Sequence, residues 1–470
     1  MKSTLVLSLL FVIGGHGPVA MAQSPGAFTA AGDMTTSRVQ HTATLLVDGK
    51  VLIAGGHDDS SILSTAEIYN PAAGTFTVTG NMTRARNAHS ATLLPDGRVL
   101  IAGGTGPLGT TSSGGCTLTS SCGQLTSAEI YDPSSGTFTA TGDMIAPAGP
   151  AVLLPNGKVF ISGGYVPYGN AAVQAQLYDP SRGTFSATTA QTPLRDLATL
   201  LSNGQVLLTG NALSGHDGTI YDPVTDTFSL TDNIDYQTAT LLMNGKVLFI
   251  GDADDIFPGT PFSIKTAQLY DYSTGKFTVA GTMTVGRAGH TATLLPDGTV
   301  LSAGTGFPGG GALASAEIYD PVLGTFGPTG NMVRARYLHR ATLLNNGQVL
   351  ITGGYDRFPA VTSSAELYTP RVLVPAPVLF SLSGDGRGQG AIWHAATGQA
   401  ASANNPAIAS EALSMYTTSL ADGGVIPPQV AIGGRLAELL FFGKAHGYAG
   451  LNQVNVRVPR LPVAVNVPAV

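Results

Sequence analysis

Charge is scarce in this chain. Charged residues make up 11% of its 470 positions, well under half the roughly 25% of an ordinary soluble domain. That shortage, beside a hydrophobic fraction of 43%, excludes a disordered chain, which needs more charge and fewer apolar residues. It also excludes a coiled coil, which needs abundant Glu and Lys. The net charge of −6 leaves no electrostatic footprint for nucleic acid. Cysteine is nearly missing as well: Cys116 and Cys122 are the only two. Two thiols make a weak metal site. Close together among Gly, Ser and Thr, they are expected to close a small disulfide loop in an oxidising compartment. No apolar stretch approaches the roughly 18 residues of a membrane-spanning helix, so no span is expected. Glycine, by contrast, is abundant at 61 residues, nearly double the usual roughly 7%. Much glycine with little charge points to many short strands joined by tight turns.

The N-terminus has its own pattern. Lys2 precedes an apolar run from Leu5 to Ile13, and Ala20-Met21-Ala22 follows. A basic start, a short apolar run and a small-residue cleavage site mark a secretory signal peptide over residues 1–22. A secreted, cell-surface or periplasmic location follows as an expectation.

Internal repeats decide the fold. Ala-Thr-Leu-Leu begins at Ala43, Ala91, Ala198, Ala239, Ala292 and Ala341, with Ala-Val-Leu-Leu at Ala151. Each copy runs into an Asp-Gly or Asn-Gly turn, from Asp48-Gly49 to Asn346-Gly347. Those dipeptides favour the positive φ values of a two-residue hairpin. A second apolar strand ends in Gly or Gly-Gly. A third carries Tyr69, Tyr131, Tyr178, Tyr221, Tyr270, Tyr319 or Tyr368. A fourth opens at Phe76, Phe138, Phe185, Phe228, Phe277 or Phe326. The array thus holds seven copies of three strands and six of the fourth. The missing copy stands at the other end, in Gly26-Ala27-Phe28-Thr29. An all-β, seven-bladed propeller over residues 24–370 is therefore expected, its last blade completed by the N-terminal strand. Such closure leaves no open sheet edge.

Three polar positions vary together along the repeats. Arg38, Arg86, Arg287 and Arg336 lie five residues before their Ala anchors, and His41, His89, His290 and His339 lie two before them. Glu67, Glu129, Glu317 and Glu366 lie two residues before the repeat tyrosines. All three types occur in the same four blades and are replaced in the other three. Positions that change together suggest contact. The expectation is a structural Arg–Glu ion pair within each of these blades, with His packed nearby. A catalytic or metal-binding ring of histidines would have no reason to vary with a Glu in the third strand. No cofactor or metal is called for.

Strand order puts all long, variable loops on one face. They include His57-Asp58-Asp59, the insertion holding both cysteines, and the segments at Tyr165, Asp252, Phe307 and Tyr355. Function concentrates on loops held above a rigid scaffold. Their aromatics, Tyr165, Tyr168, Phe257, Phe262, Phe307, Tyr355 and Phe358, together with Arg357, suit stacking on sugars or anchoring a protein partner. Asp252, Asp254 and Asp255 match no calcium loop and read as a solvated acidic stretch.

The repeats stop near Pro375-Ala376-Pro377, a stiff linker. Apolar strands alternate with Gly-, Asn- and Pro-rich turns through 376–470, suggesting a small β-sandwich-like domain.

The repeat unit resembles a kelch repeat, through its Gly-Gly doublet, its Glu-x-Tyr-Asp-Pro segment and the aromatic that follows. It departs from that pattern in placing Phe where many kelch repeats have Trp, and in losing the second Gly after Gly210, Gly251 and Gly304. The C-terminal Ile432-Gly433-Gly434-Arg435-Leu436-Ala437-Glu438 and Gly450-Leu451-Asn452-Gln453-Val454-Asn455-Val456-Arg457-Val458-Pro459 resemble a domain of unknown role found on secreted bacterial proteins. The chain stops short of that pattern's last strands. The kelch resemblance implies three functions. The first is a non-enzymatic extracellular binding protein, a monomer that takes a glycan or a protein on its loop face. The second is a galactose-oxidase-like copper radical oxidase. That class needs a Tyr cross-linked to Cys and a Tyr adjacent to His, whereas here Leu338 separates Tyr337 from His339. The third is a sugar mutarotase, whose acid or base would have to come from Glu and Arg already assigned to the ion pairs.

Overall fold

A computed structural model describes residues 26–107, 122–163, 173–192, 197–210, 217–233, 236–251, 265–307 and 311–371, with short stretches at 392–394, 412–417, 431–432, 435–436, 438–444 and 452–457. Seven four-stranded antiparallel sheets follow one another, each a blade. Blade 1 comprises Thr42–Leu45, Val51–Ala54, Ala66–Asn70 and Thr75–Val78. Blade 7 takes Arg340–Leu343, Val349–Thr352 and Ser364–Thr369 from the end of the array and Ala27–Asp33 from its start. Ala27 pairs with Thr369 and Phe28 with Tyr368, so the expected closure of the ring is the one found.

Burial explains the repeat. In each second strand, such as Val51–Ala54 and Val99–Ala102, all four residues are buried. Both faces are covered by neighbouring blades, so the strand reads as a continuous apolar run rather than an alternating one. The first strands, such as Thr42–Leu45, are only half-buried. They form the innermost edge of each blade and line the axial channel. In the third strand the repeat tyrosine is wholly buried, Tyr69 and Tyr221 at 0% exposure. Its ring packs on the Phe of the fourth strand, with centroids 4.8 Å apart in Tyr69–Phe76 and 4.7 Å in Tyr131–Phe138. Phe is the ring that packs on the repeat tyrosine in all seven blades. In blade 7 the partner is Phe28, 4.8 Å from Tyr368, drawn from the other end of the propeller. Tyrosine hydroxyls also tie blades together: Tyr131 Oη lies 2.9 Å from Thr79 Oγ1 of blade 1.

Beyond the propeller, Ile392–His394, Ala412–Thr417, Asn452–Arg457 and Glu438–Lys444 form a four-stranded antiparallel sheet, in that order. A two-stranded ladder joins Ala431–Ile432 to Arg435–Leu436. The leader-like residues 1–22, Cys116 and the strand expected near Val378 lie outside the described residues.

Candidate functional site

The loop face begins where each second strand ends and the next blade's first strand starts. Just beneath it runs a girdle of buried polar groups. Arg38 and Glu67 are both wholly buried, with Arg38 Nη2 3.0 Å from Glu67 Oε1. The equivalent Arg86–Glu129, Arg287–Glu317 and Arg336–Glu366 contacts are 2.8, 3.0 and 2.7 Å. Each guanidinium also donates to carbonyls that close the blade top, as Arg38 does to Gly55 O at 3.0 Å and Thr65 O at 2.9 Å. The carboxylate has further donors: Thr35 N at 2.6 Å and Thr36 N at 3.2 Å for Glu67. Burial presses the Arg38 guanidinium pKa down, while Glu67 pulls it back up. Each pair is thus a neutral, multiply bonded staple in which neither charge is left alone.

Blade 3 shows what happens where the pair is absent. Gln176 stands in the Glu position. Its Oε1 accepts from Ile145 N at 2.9 Å, the residue after Met144, as Glu129 accepts from Thr83 after Met82. Its Nε2 donates to Ala146 O at 2.8 Å. One neutral amide does part of the work of two charges, so Arg and Glu disappear together.

The four repeat histidines are buried, and each bridges to the preceding blade. His89 Nε2 lies 3.0 Å from Thr42 Oγ1, His339 Nε2 2.9 Å from Thr291 Oγ1, and His290 Nε2 3.2 Å from Thr238 Oγ1. His41 Nε2 reaches Thr352 Oγ1 of blade 7 at 2.9 Å. Burial, with nearby arginine charge, drives the His41, His89 and His339 pKa values well below the usual imidazole range. Burial lowers that of His290 to about 3. These rings are neutral inter-blade spacers.

Of the loop aromatics, Tyr165, Tyr168, Phe257 and Phe262 lie outside the described residues, as do Asp252, Asp254 and Asp255. Phe307 ends the strand Val300–Phe307, its backbone paired with Gly311. Tyr355 departs from the expectation of an exposed binding residue: it is 8% exposed. Its ring packs 5.3 Å from Tyr337, and its hydroxyl lies 3.3 Å from His57 Nε2 of blade 1. The His57 Nδ1–H donates to Asp58 O at 2.9 Å, which leaves Nε2 to accept the phenol proton. Tyr355 is buried because it closes the seam between the last and first blades, a contact the local sequence does not reveal. Asp59 joins the same seam by accepting from Val361 N at 2.8 Å.

Phe358 and Arg357 do face solvent. Phe358 is 50% exposed and sits edge-on to Tyr355, with centroids 5.4 Å apart. Arg357 is exposed beside it, and Arg334 Nη1 meets Asp356 Oδ2 at 3.0 Å on the same rim. An exposed ring is therefore held on a rigid aromatic base with charged groups alongside. On the opposite, short-turn face, a depression of about 300 Å³ lies between blades 3 and 4, lined by Pro155, Asn203, Asp222 and Val224 among others.

A copper radical centre does not fit the described residues. Cys122 is disulfide-bonded and has no thiol to give a tyrosine cross-link. Among the described residues no three His, Cys, Asp or Glu side chains come together to hold a metal ion. The histidines are spent on threonines.

Comparison with known proteins agrees with this geometry at the level of fold. No curated protein matches the sequence. Among solved structures, a novel fungal alcohol oxidase with catalytic diversity among the AA5 family, in complex with copper, is similar with a TM-score of 0.61 and 16% identity, covering 93% of each chain. At that identity the likeness shows the fold alone. A Kelch motif matches residues 39–83, so the chain is an all-β propeller of seven blades that carries a Kelch motif and shares its fold with a copper-binding alcohol oxidase.

Proposed function

We propose that this chain is a non-enzymatic extracellular binding protein that takes a glycan on its loop face. The observation that carries the reading is the half-exposed Phe358 ring, braced by buried Tyr355 and flanked by Arg357 and the Arg334–Asp356 pair. A rigid exposed aromatic offers a sugar its apolar face, and adjacent charged groups bond the hydroxyls. Among the described residues, four His and four Arg–Glu pairs are engaged in holding the blades. An oxidising location is supported by the Cys122 disulfide and by the leader-like residues 1–22. A glycan array probed with the whole protein tests the reading, beside a pull-down that reports a protein ligand instead. Binding that weakens in Phe358→Ala is expected. Turnover of a sugar with no retained ligand would overturn it, and stoichiometric copper in purified protein would favour the oxidase reading drawn from the fold likeness.

A further inference from the structure

We infer that Arg340 is the receptor for a carboxylate-bearing ligand within the axial channel of the propeller. This site is separate from the Phe358 rim. Arg340 opens the first strand of blade 7, Arg340–Leu343. The same position, one before the Ala anchor, holds Thr42, Ser90, Pro150, Leu197, Thr238 and Thr291 in the other blades. The first strands line the channel, and only this one brings a charge to the position.

Three observations set this guanidinium apart. It is solvent-exposed, yet the protein packed around it lowers its pKa by desolvation. Exposure to water with protein on every side describes a group standing in the channel. Second, Arg340 has no carboxylate partner among the described residues, whereas each of the four girdle arginines has one. An unpaired cation with protein on several sides is stabilised by a counter-charge that can reach it. Third, Arg340 Nε donates to His41 O at 2.7 Å, which fixes the guanidinium plane. Among the described residues Nη1 and Nη2 have no hydrogen-bond partner. The arrangement is a pre-oriented donor fork, the geometry that matches a planar carboxylate.

The neighbourhood limits the ligand's charge. Arg340 acts electrostatically on His41, His89 and His339, which are all held neutral. Among the described first strands this is the one cation at the position, and a single cation suits a monoanion better than a phosphate or sulfate dianion. The carboxylate would enter with the rest of the ligand extending along the channel.

The test is calorimetric titration of the whole protein with acetate and with D-glucuronate, using glucose, inorganic phosphate and sulfate as comparisons. At least one of the two carboxylates is expected to bind and glucose is not. Arg340→Gln is expected to weaken carboxylate binding by roughly ten-fold or more, the loss of a charge-assisted bond. Arg340→Lys keeps the charge, loses the fork and falls between. Phe358→Ala leaves carboxylate binding unchanged, so this result stands or falls apart from the glycan reading. If neither carboxylate binds the parent protein, the proposal is overturned. Equal binding in folded Arg340→Gln or Arg340→Lys would overturn it too, as would tighter binding of phosphate or sulfate than of either carboxylate.

Discussion

Gly353 of blade 7 and His41 of blade 1 compete for one volume across the seam that closes the ring. A β-carbon on Gly353 would stand 2.8 Å from His41 Cε1 and would also meet the carbonyl oxygen of Arg38. The same relation recurs between Gly55 and His89 and between Gly304 and His339, each at 2.8 Å. In these blades the first Gly leaves room for the next blade's arginine carbonyl and for its histidine ring. Gly251, in a blade that has lost the second Gly, stands in the same relation to His290.

Gly353→Ala should accordingly cost several kcal/mol. Backbone strain at φ +61 contributes about 1–3 kcal/mol and overpacking a similar amount. Gly74→Ala is the control, with φ +66 and nothing within 4 Å of its added carbon. It should show the strain alone. Denaturant unfolding of the two variants measures the difference, and equal losses would show that the His41 contact carries no weight.

Arg86→Ala should destabilise by about 3–5 kcal/mol, because it leaves the Glu129 charge buried without its cation. Adding Glu129→Gln should cost little more. The amide can keep the Thr83 N–H bond and donate to a carbonyl, as Gln176 does in blade 3. The double-mutant cycle reads this directly, and additive losses would contradict the pairing.

Acid should unfold the propeller through its histidines. Four folded-state imidazole pKa values lie below the ordinary value, that of His290 at about 3. The unfolded chain takes up protons near pH 6.5 and the folded chain does not. Their contribution to stability is complete above about pH 6.5 and is lost as pH falls toward the depressed folded values. Near pH 5, unfolding should take up as many as about four protons from this source. Melting temperature measured from pH 7.5 to 4.5 checks it; a flat profile over that range would contradict neutral, buried rings.

Removing the closing strand should break the ring. A chain that starts at Met34 lacks Phe28 and the ladder from Ala27 to Thr369. The Ser364–Thr369 strand then becomes an open edge, prone to association. Loss of cooperative melting with oligomers in size-exclusion chromatography is expected, and a monomer with the parent melting temperature would contradict the closure.

The fold was legible because its signals repeat. Tyr69 and its six counterparts mark the third strand, and the absent seventh Phe pointed to Phe28. The Arg–Glu contacts were legible for the same reason, since their substitution is shared among blades. Tyr355 was not, because its partners Tyr337 and His57 lie in different blades and, among the described residues, no other repeat carries the contact. Arg340 was also hidden. Its position is heterogeneous along the repeats, and only the closed ring turns that position inward to the channel.

The central claim is that the buried Arg, Glu and His girdle holds the scaffold while the loop rim does the binding. Phe358→Ala, assayed for its best array glycan and for melting temperature in the same preparation, tests it most directly. The account predicts roughly ten-fold weaker binding with an unchanged melting temperature, since the ring is 50% exposed. Unchanged binding in that variant would contradict it.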